Sequence, residues 1–249
     1  MLVIGKNPVL ELLETKPKEF NKIILLKTIK PEPKSVKIKE LAEENGIQVL
    51  MLRTKEFLNF FNRKNKDEGI TQGVIGFIKD FQYADLRDIV EGASGIKYPM
   101  LLLLDEITDP HNLGAIIRSA VCLGCDGIVI PRHNSAEVNH TVLKTSSGAA
   151  SKIRIAKETN LVNTIVYLKK HGYFIMGADA KADKFTFEKD FKKPIALILG
   201  SEGKGIRDIL KKNCDEFVRI PMTPGFDSLN VSVSAGVILY EAFRQKQVG

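Results

Sequence analysis

Two kinds of apolar spacing alternate along this chain. Continuous apolar runs fall at residues 100–104, 127–130, 174–176 and 195–199, and a largely apolar one, broken by Arg219, at 217–220. Runs this short with no polar alternation predict strands buried on both faces. Between them lie stretches with helical spacing, at 112–123, 140–149, 161–171 and 207–213. Strands alternating with helices predict an α/β fold, with a mostly parallel sheet covered on both sides, from residue 98 to the end.

The first part of the chain reads as a smaller α/β unit, residues 1–78. Asn7-Pro8 opens a helix, 22–26 is a strand, and 36–45 is a helix ended by Gly46. Strands follow at 47–51 and 73–78. The charged loop at 63–69 is either a solvated turn or a phosphate contact. Residues 79–97 are polar and contain glycine, so a linker is expected there.

One helix is unusual. From Ser228 to Tyr240 no residue is charged, although 27% of the chain is. Such a helix belongs to the core, to a subunit interface or to the wall of a site. Ser228 reads as its N-cap, and Asn230 stands inside it among apolar neighbours.

Charge adds a partner class. The net charge of +7 suits a polyanion such as nucleic acid. The chain has no Trp and more Lys than Arg, so no arginine-rich or aromatic RNA motif stands out. No apolar run approaches the ~20 residues that span a bilayer. The first residues lack a basic stretch followed by an apolar one, so a cytoplasmic protein is expected, with no membrane association. Cys122 and Cys125 have C-x-x-C spacing, but no second pair or His cluster completes a metal site. Structural cysteines and no metal are expected.

Three constellations carry candidate chemistry. The first, residues 105–120, follows the first strand of the larger region, at the strand end where open α/β sheets bind ligands. On a helix, Leu113, Ile116, Ile117 and Ala120 form the apolar face; Asn112, Ala115, Arg118, Ser119 and Cys122 form the other. That second face lacks Lys and Glu. Arg118 there either meets a phosphate or sits in an ion pair with Asp105 or Glu106. His111 is a general base or a capping residue. The second constellation is Leu199-Gly200-Ser201-Glu202-Gly203-Lys204-Gly205, a strand running into a glycine-rich loop. It is neither a P-loop nor a dinucleotide fingerprint. Glu202 would repel phosphates, so the loop suits a neutral or cationic ligand. The third is Ile220-Pro221-Met222 with Ser228-Leu229-Asn230 downstream.

Together, D-x-x-x-D-P-H-N-L-G-A-x-x-R-S-A, L-G-S-E-G-x-G and I-P-M-x(5)-S-L-N-V-S-V-x-x-G resemble the three ordered motifs of the SpoU (TrmH) family. These are SPOUT-class RNA ribose 2′-O-methyltransferases. The resemblance covers residues 98–247, and within the family it is strongest to the large-subunit (23S) rRNA guanosine-2′-O-methyltransferases. It implies a deep trefoil knot in the C-terminal domain, an exception to the rule that chains do not thread. It also implies a small N-terminal RNA-binding domain, a homodimer, and S-adenosyl-L-methionine as cofactor. Arg118 matches the catalytic arginine. Asn112, Glu202, Ser228 and Asn230 match the polar residues that order the site. Gly177, Ala178, Gly200, Ser201, Ile220, Met222 and Leu229 match the cofactor-contacting segments. The segment 223–227 and Thr71-Gln72-Gly73 depart from the common family pattern, which bears on the target nucleotide. A tRNA substrate, or a non-catalytic ribosome-associated RNA-binding protein, are the alternative readings.

Overall fold

The computed structural model describes residues 1–27, 32–64, 72–223, 225 and 228–247. Of the charged loop expected at 63–69, residues 65–69 lie outside them, as do Thr71, Pro224, Phe226 and Asp227, while 63–64 end a helix. The chain divides into two compact units, Met1–Phe81 and Gln82–Gly249.

In the first unit the order is β1 (Leu2–Ile4), α1 (Lys6–Thr15), β2 (Phe20–Leu26), α2 (Pro33–Glu44), β3 (Gln48–Leu52), α3 (Thr54–Lys64) and β4 (Val74–Ile78). The sheet order is β1-β4-β2-β3; β2 and β3 run parallel and the other pairs antiparallel. Alternation along β2 serves both faces. Ile23 and Leu25 pack with Val9, Leu13, Ile38 and Ala42, while Ile24 packs on Phe57 of α3. The pattern of apolar runs did not single out β1 or α3. Three residues are too few to show a period, and among the described side chains of α3 only Phe57 is fully buried.

The second unit contains α4 (Leu86–Ala93), β5 (Met100–Leu104), α5 (Pro110–Cys122), β6 (Gly127–Pro131), α6 (His140–Thr145), β7 (Arg154–Glu158) and α7 (Leu161–Lys170). It continues with β8 (Phe174–Ala178), β9 (Ile195–Leu199), α8 (Asp208–Lys211), β10 (Glu216–Val218) and α9 (Val231–Gln247). Its six strands are all parallel, in the order β10-β8-β9-β5-β6-β7. The chain builds outward from β5 to β7. It then crosses to the other side, where β9 lies against β5. That reversal creates a crevice at the strand C-termini.

Several expectations change in detail. The stretch expected as a linker carries α4, whose Leu86, Ile89 and Val90 join the core of the second unit. Their i, i+3, i+4 spacing is the signal that the polar composition hid. Strand β7 went unrecognised because Arg154, Lys157 and Glu158 interrupt it. It is an edge strand, where charge discourages pairing with another chain. Helix α6 stops at Thr145, because Ser147 and Gly148 adopt positive φ. The uncharged helix starts three residues later than expected, at Val231. Asn230, not Ser228, caps it: its Oδ1 accepts from the Ser232 amide at 2.9 Å.

Ile89 is 1% exposed and packed in the core. Ile89→Ala is therefore expected to lower unfolding free energy by roughly 2–4 kcal/mol, read from the denaturant midpoint of the full chain. A change near zero would mean that α4 is a surface linker after all.

Candidate active site

The last residues of β8, β9 and β10 are Ala178, Leu199 and Val218, and all three line one cavity of about 560 Å³. The glycine-rich loop after β9 forms one wall. It turns back on itself, with Ser201 bridged to Gly205. A Cβ on Gly200 would lie 2.0 Å from the Gly205 carbonyl carbon and 2.2 Å from the Ile206 nitrogen, so this turn admits only glycine there. Ile220, Met222, Leu229, Val231 and Ile238 give the cavity an apolar side. Asp179, Glu202, Lys181, Lys204, Lys211 and Arg219 are the charged groups around it.

Glu202 joins three distant segments. Its Oε1 accepts from Asn230 Nδ2 at 2.5 Å and Asn112 Nδ2 at 3.2 Å, and lies 3.4 Å from the Val231 amide. Asn230 also donates to Asn112 Oδ1 at 3.0 Å. The uncharged start of α9 thus receives a carboxylate at its N-terminus, the favourable end for an anion.

Both ends of the glycine loop are tied to one side chain's residue. The Asp105 amide donates to the Leu199 carbonyl at 2.8 Å, and Asp105 Oδ2 accepts from the Arg207 amide at 2.9 Å. Asp105 Oδ1 also takes Arg207 Nε at 2.8 Å and Nη2 at 2.7 Å. Asp105 is fully buried, and this fork of hydrogen bonds raises the Arg207 pKa above its ordinary value. Arg207 therefore occupies the ion pair that was one option for Arg118.

Arg118 itself is exposed on α5 and donates from Nη1 to Ser147 Oγ at 3.2 Å. Among the described residues no carboxylate pairs with it. His111 lies near Thr145, Nδ1 to Oγ1 3.4 Å, and its amide donates to Asp109, the N-cap of α5. Cys125 is buried and donates to the Met100 carbonyl at 3.1 Å; burial pushes its thiol up to about 12. That is the behaviour of a structural cysteine. Among the described residues no group of three or more His, Cys, Asp or Glu could hold a metal ion.

Of the sequence-predicted residues, Ala178, Gly200, Ser201, Glu202, Ile220, Met222, Ser228, Leu229 and Asn230 line the cavity. Asn112 reaches it through Glu202. Gly177 does not line it: a Cβ there would strike the Phe217 ring at 2.6 Å, so Gly177 serves strand packing between β8 and β10. Sequence reasoning missed the Asp105–Arg207 clamp as a pair, and Asp179 and Arg219 altogether. Asp179 accepts from Lys211 Nζ at 2.6 Å. Burial pushes its pKa up, but the Lys211 bond and the Lys181 amide pull it below the ordinary value.

A parallel α/β sheet with a glycine-walled cavity beside the C-terminal ends of β8, β9 and β10 suits the binding of a small organic ligand. The comparisons narrow the class. Residues 99–240 match the SpoU rRNA Methylase family, and residues 2–84 match a domain described as RNA 2′-O ribose methyltransferase substrate binding. The 23S rRNA (guanosine-2′-O-)-methyltransferase RlmB of Escherichia coli strain K12 is 34% identical, over 98% of each chain. RlmB of Pectobacterium atrosepticum is 35% identical, again over 98% of each. The crystal structure of the SpoU methyltransferase AviRb from Streptomyces viridochromogenes, in complex with AdoMet, shares the fold at a TM-score of 0.68. It is 23% identical, over 100% of this chain and 91% of that one. The chain belongs to the SpoU rRNA methylase family.

Asp105→Asn removes the charge that holds Arg207 while keeping the side-chain shape. Arg207 is 43% exposed and can rehydrate, so the expected loss is roughly 2–3 kcal/mol, below that of a fully buried pair. Thermal or urea unfolding would measure it; an unchanged midpoint would remove the clamp from the structure's energetics.

Proposed function

We propose that this protein transfers a methyl group from S-adenosyl-L-methionine to the 2′-hydroxyl of a ribose in RNA, a guanosine of 23S ribosomal RNA. The observation that carries the reading is the meeting of Asn112, Glu202 and Asn230 at a cavity walled by the Gly200 loop. Three segments far apart in the chain converge on one carboxylate beside that cavity. The full-length match to rRNA guanosine methyltransferases supports ribosomal RNA as substrate. Residues 1–78 are then the RNA-binding domain, and the methyltransferase domain, expected from residue 98, takes in α4 as well and runs to 249.

The cavity's chemistry fits the cofactor. Small walls at Ala178 and Gly200 let the backbone come close to a ligand, the apolar side suits a purine, and Glu202 suits a cation but not a phosphate. Ser201, Ile220, Met222 and Leu229 complete the contacts. When bound, the cofactor supplies an electrophilic methyl group on a cationic sulfur. A ribose hydroxyl is a weak nucleophile, so the protein's share is positioning and proton removal. Arg118 has the free charge for this: it holds the substrate phosphate and stabilises the negative charge growing on the 2′-oxygen, while the hydroxyl proton passes to a phosphate oxygen. Asn112, Glu202, Ser228 and Asn230 order the cavity itself.

The same reading includes a deep trefoil knot in the second unit, a homodimer and a cytoplasmic location. Among the described residues no helix is long and apolar enough to cross a membrane. The dimer is supported by one face of α9, where Val233, Val237 and Tyr240 are 49%, 39% and 57% exposed at helical spacing. Arg118 and Cys122 are exposed on α5, which packs beside α9 at Gly236 and Ser119. An apolar stripe on a surface helix marks an interaction face.

Arg118→Ala is expected to lower methyl transfer to RNA by at least a hundredfold while S-adenosylhomocysteine still binds within about threefold of the parent, by calorimetry. Near-parental turnover would remove Arg118 from the chemistry. Mapping ribose methylation in total RNA from cells lacking the protein tests the substrate: one missing 2′-O-methylguanosine in 23S rRNA is expected. Val237→Asp should shift the chain to monomer in sedimentation velocity; a parental sedimentation profile would place the interface elsewhere.

A further inference from the structure

Arg219 is the unexplained charge of the cavity. Its backbone is fixed on both sides: the amide donates to the Lys184 carbonyl at 3.0 Å, and the carbonyl accepts from Thr186 at 2.9 Å. The guanidinium lies over the Phe185 ring, 4.4 Å from its centroid. Its Nε is buried and has no hydrogen-bond partner among the described residues, and no carboxylate pairs with it there. Buried donors are nearly always paired, but this nitrogen is closed to solvent and so to any cavity ligand; what Arg219, a residue lining the cavity, can offer is the remaining N–H groups of its guanidinium.

The other cations around the cavity have less to offer. Lys211 is neutralised by Asp179, and Lys181 and Lys204 are exposed to water. Arg219 is half-buried and its guanidinium is stacked on Phe185, so part of its side-chain freedom is already lost before any ligand arrives. The remaining fork of N–H donors is complementary to a planar anion bound edge-on. The cavity's two carboxylates, Asp179 and Glu202, are both engaged with other partners.

We propose that Arg219 binds the amino-acid carboxylate of the cofactor, and so fixes its methionine part in the cavity. The inference rests on the proposed function, since it presumes that this cavity holds S-adenosylmethionine. It adds a specificity element outside the three sequence motifs: recognition of the ligand's anionic tail.

The test compares two ligands that differ in that tail. S-adenosylhomocysteine carries the carboxylate; 5′-methylthioadenosine has the same nucleoside and no amino acid. In calorimetry with the full chain, Arg219→Gln is expected to weaken S-adenosylhomocysteine by roughly tenfold or more and leave 5′-methylthioadenosine within about twofold. Arg219→Lys, which keeps the charge and loses the fork, should fall between. Unchanged nucleoside binding also certifies that the variant is folded. Equal weakening of both ligands would overturn the proposal, because Arg219 would then shape the cavity or touch the nucleoside. So would unchanged affinity for both, with or without a raised KM for RNA, which would assign Arg219 to a phosphate or to neither. If the parent protein bound neither ligand, the cofactor reading itself would fail, a result distinct from either.

Discussion

Asp105 gathers the ends of the Gly200 loop at the crevice of the sheet. Its amide takes the last carbonyl of β9 and its buried carboxylate takes the backbone and side chain of Arg207. Everything between those bonds, Gly200 to Ile206, is thereby held as one closed turn. Glu202 sits in that turn. Its reach to Asn112 on α5 and Asn230 before α9 depends on where the turn is held. A buried carboxylate is costly unless fully satisfied, and here three Arg207 donors satisfy it.

From that constraint the rest of the site follows in layers. The loop's fold needs Gly200 without a side chain, and the neighbouring strand pair needs Gly177 for Phe217. The network on Glu202 fixes the entry of α9, with Asn230 both capping the helix and meeting the carboxylate. Helix α9 then packs along α5, which carries Arg118. The proposed cofactor cavity, catalytic arginine and dimer face are therefore coupled through two helices.

Much of this was legible in the chain itself. The apolar runs located five of the six strands of the larger unit: β5, β6, β8 and β9 are covered on both faces and carry no charged residue, and the edge strand β10 showed through Phe217 and Val218. Glu202 within a glycine loop excluded phosphate by charge alone. What hid from the sequence was whatever depended on partners. β7 looked polar because an edge strand carries charge. α4 looked like a linker because half its residues face water. Arg118 was the candidate partner for Asp105 until the fold brought Arg207 to the end of β5 instead.

The sequence by itself determined the alternation of strands and helices, the two units, and the residue types that the chemistry needs. Local spacing and composition suffice there, since burial on a strand or helix leaves a periodic trace. Only the tertiary structure decided which groups meet: Asp105 with Arg207, Glu202 with Asn112 and Asn230, Arg219 with Phe185 at the cavity wall. These pairs are separated by tens of residues or more. Their contacts are set by the order of strands in the sheet, which no local pattern records.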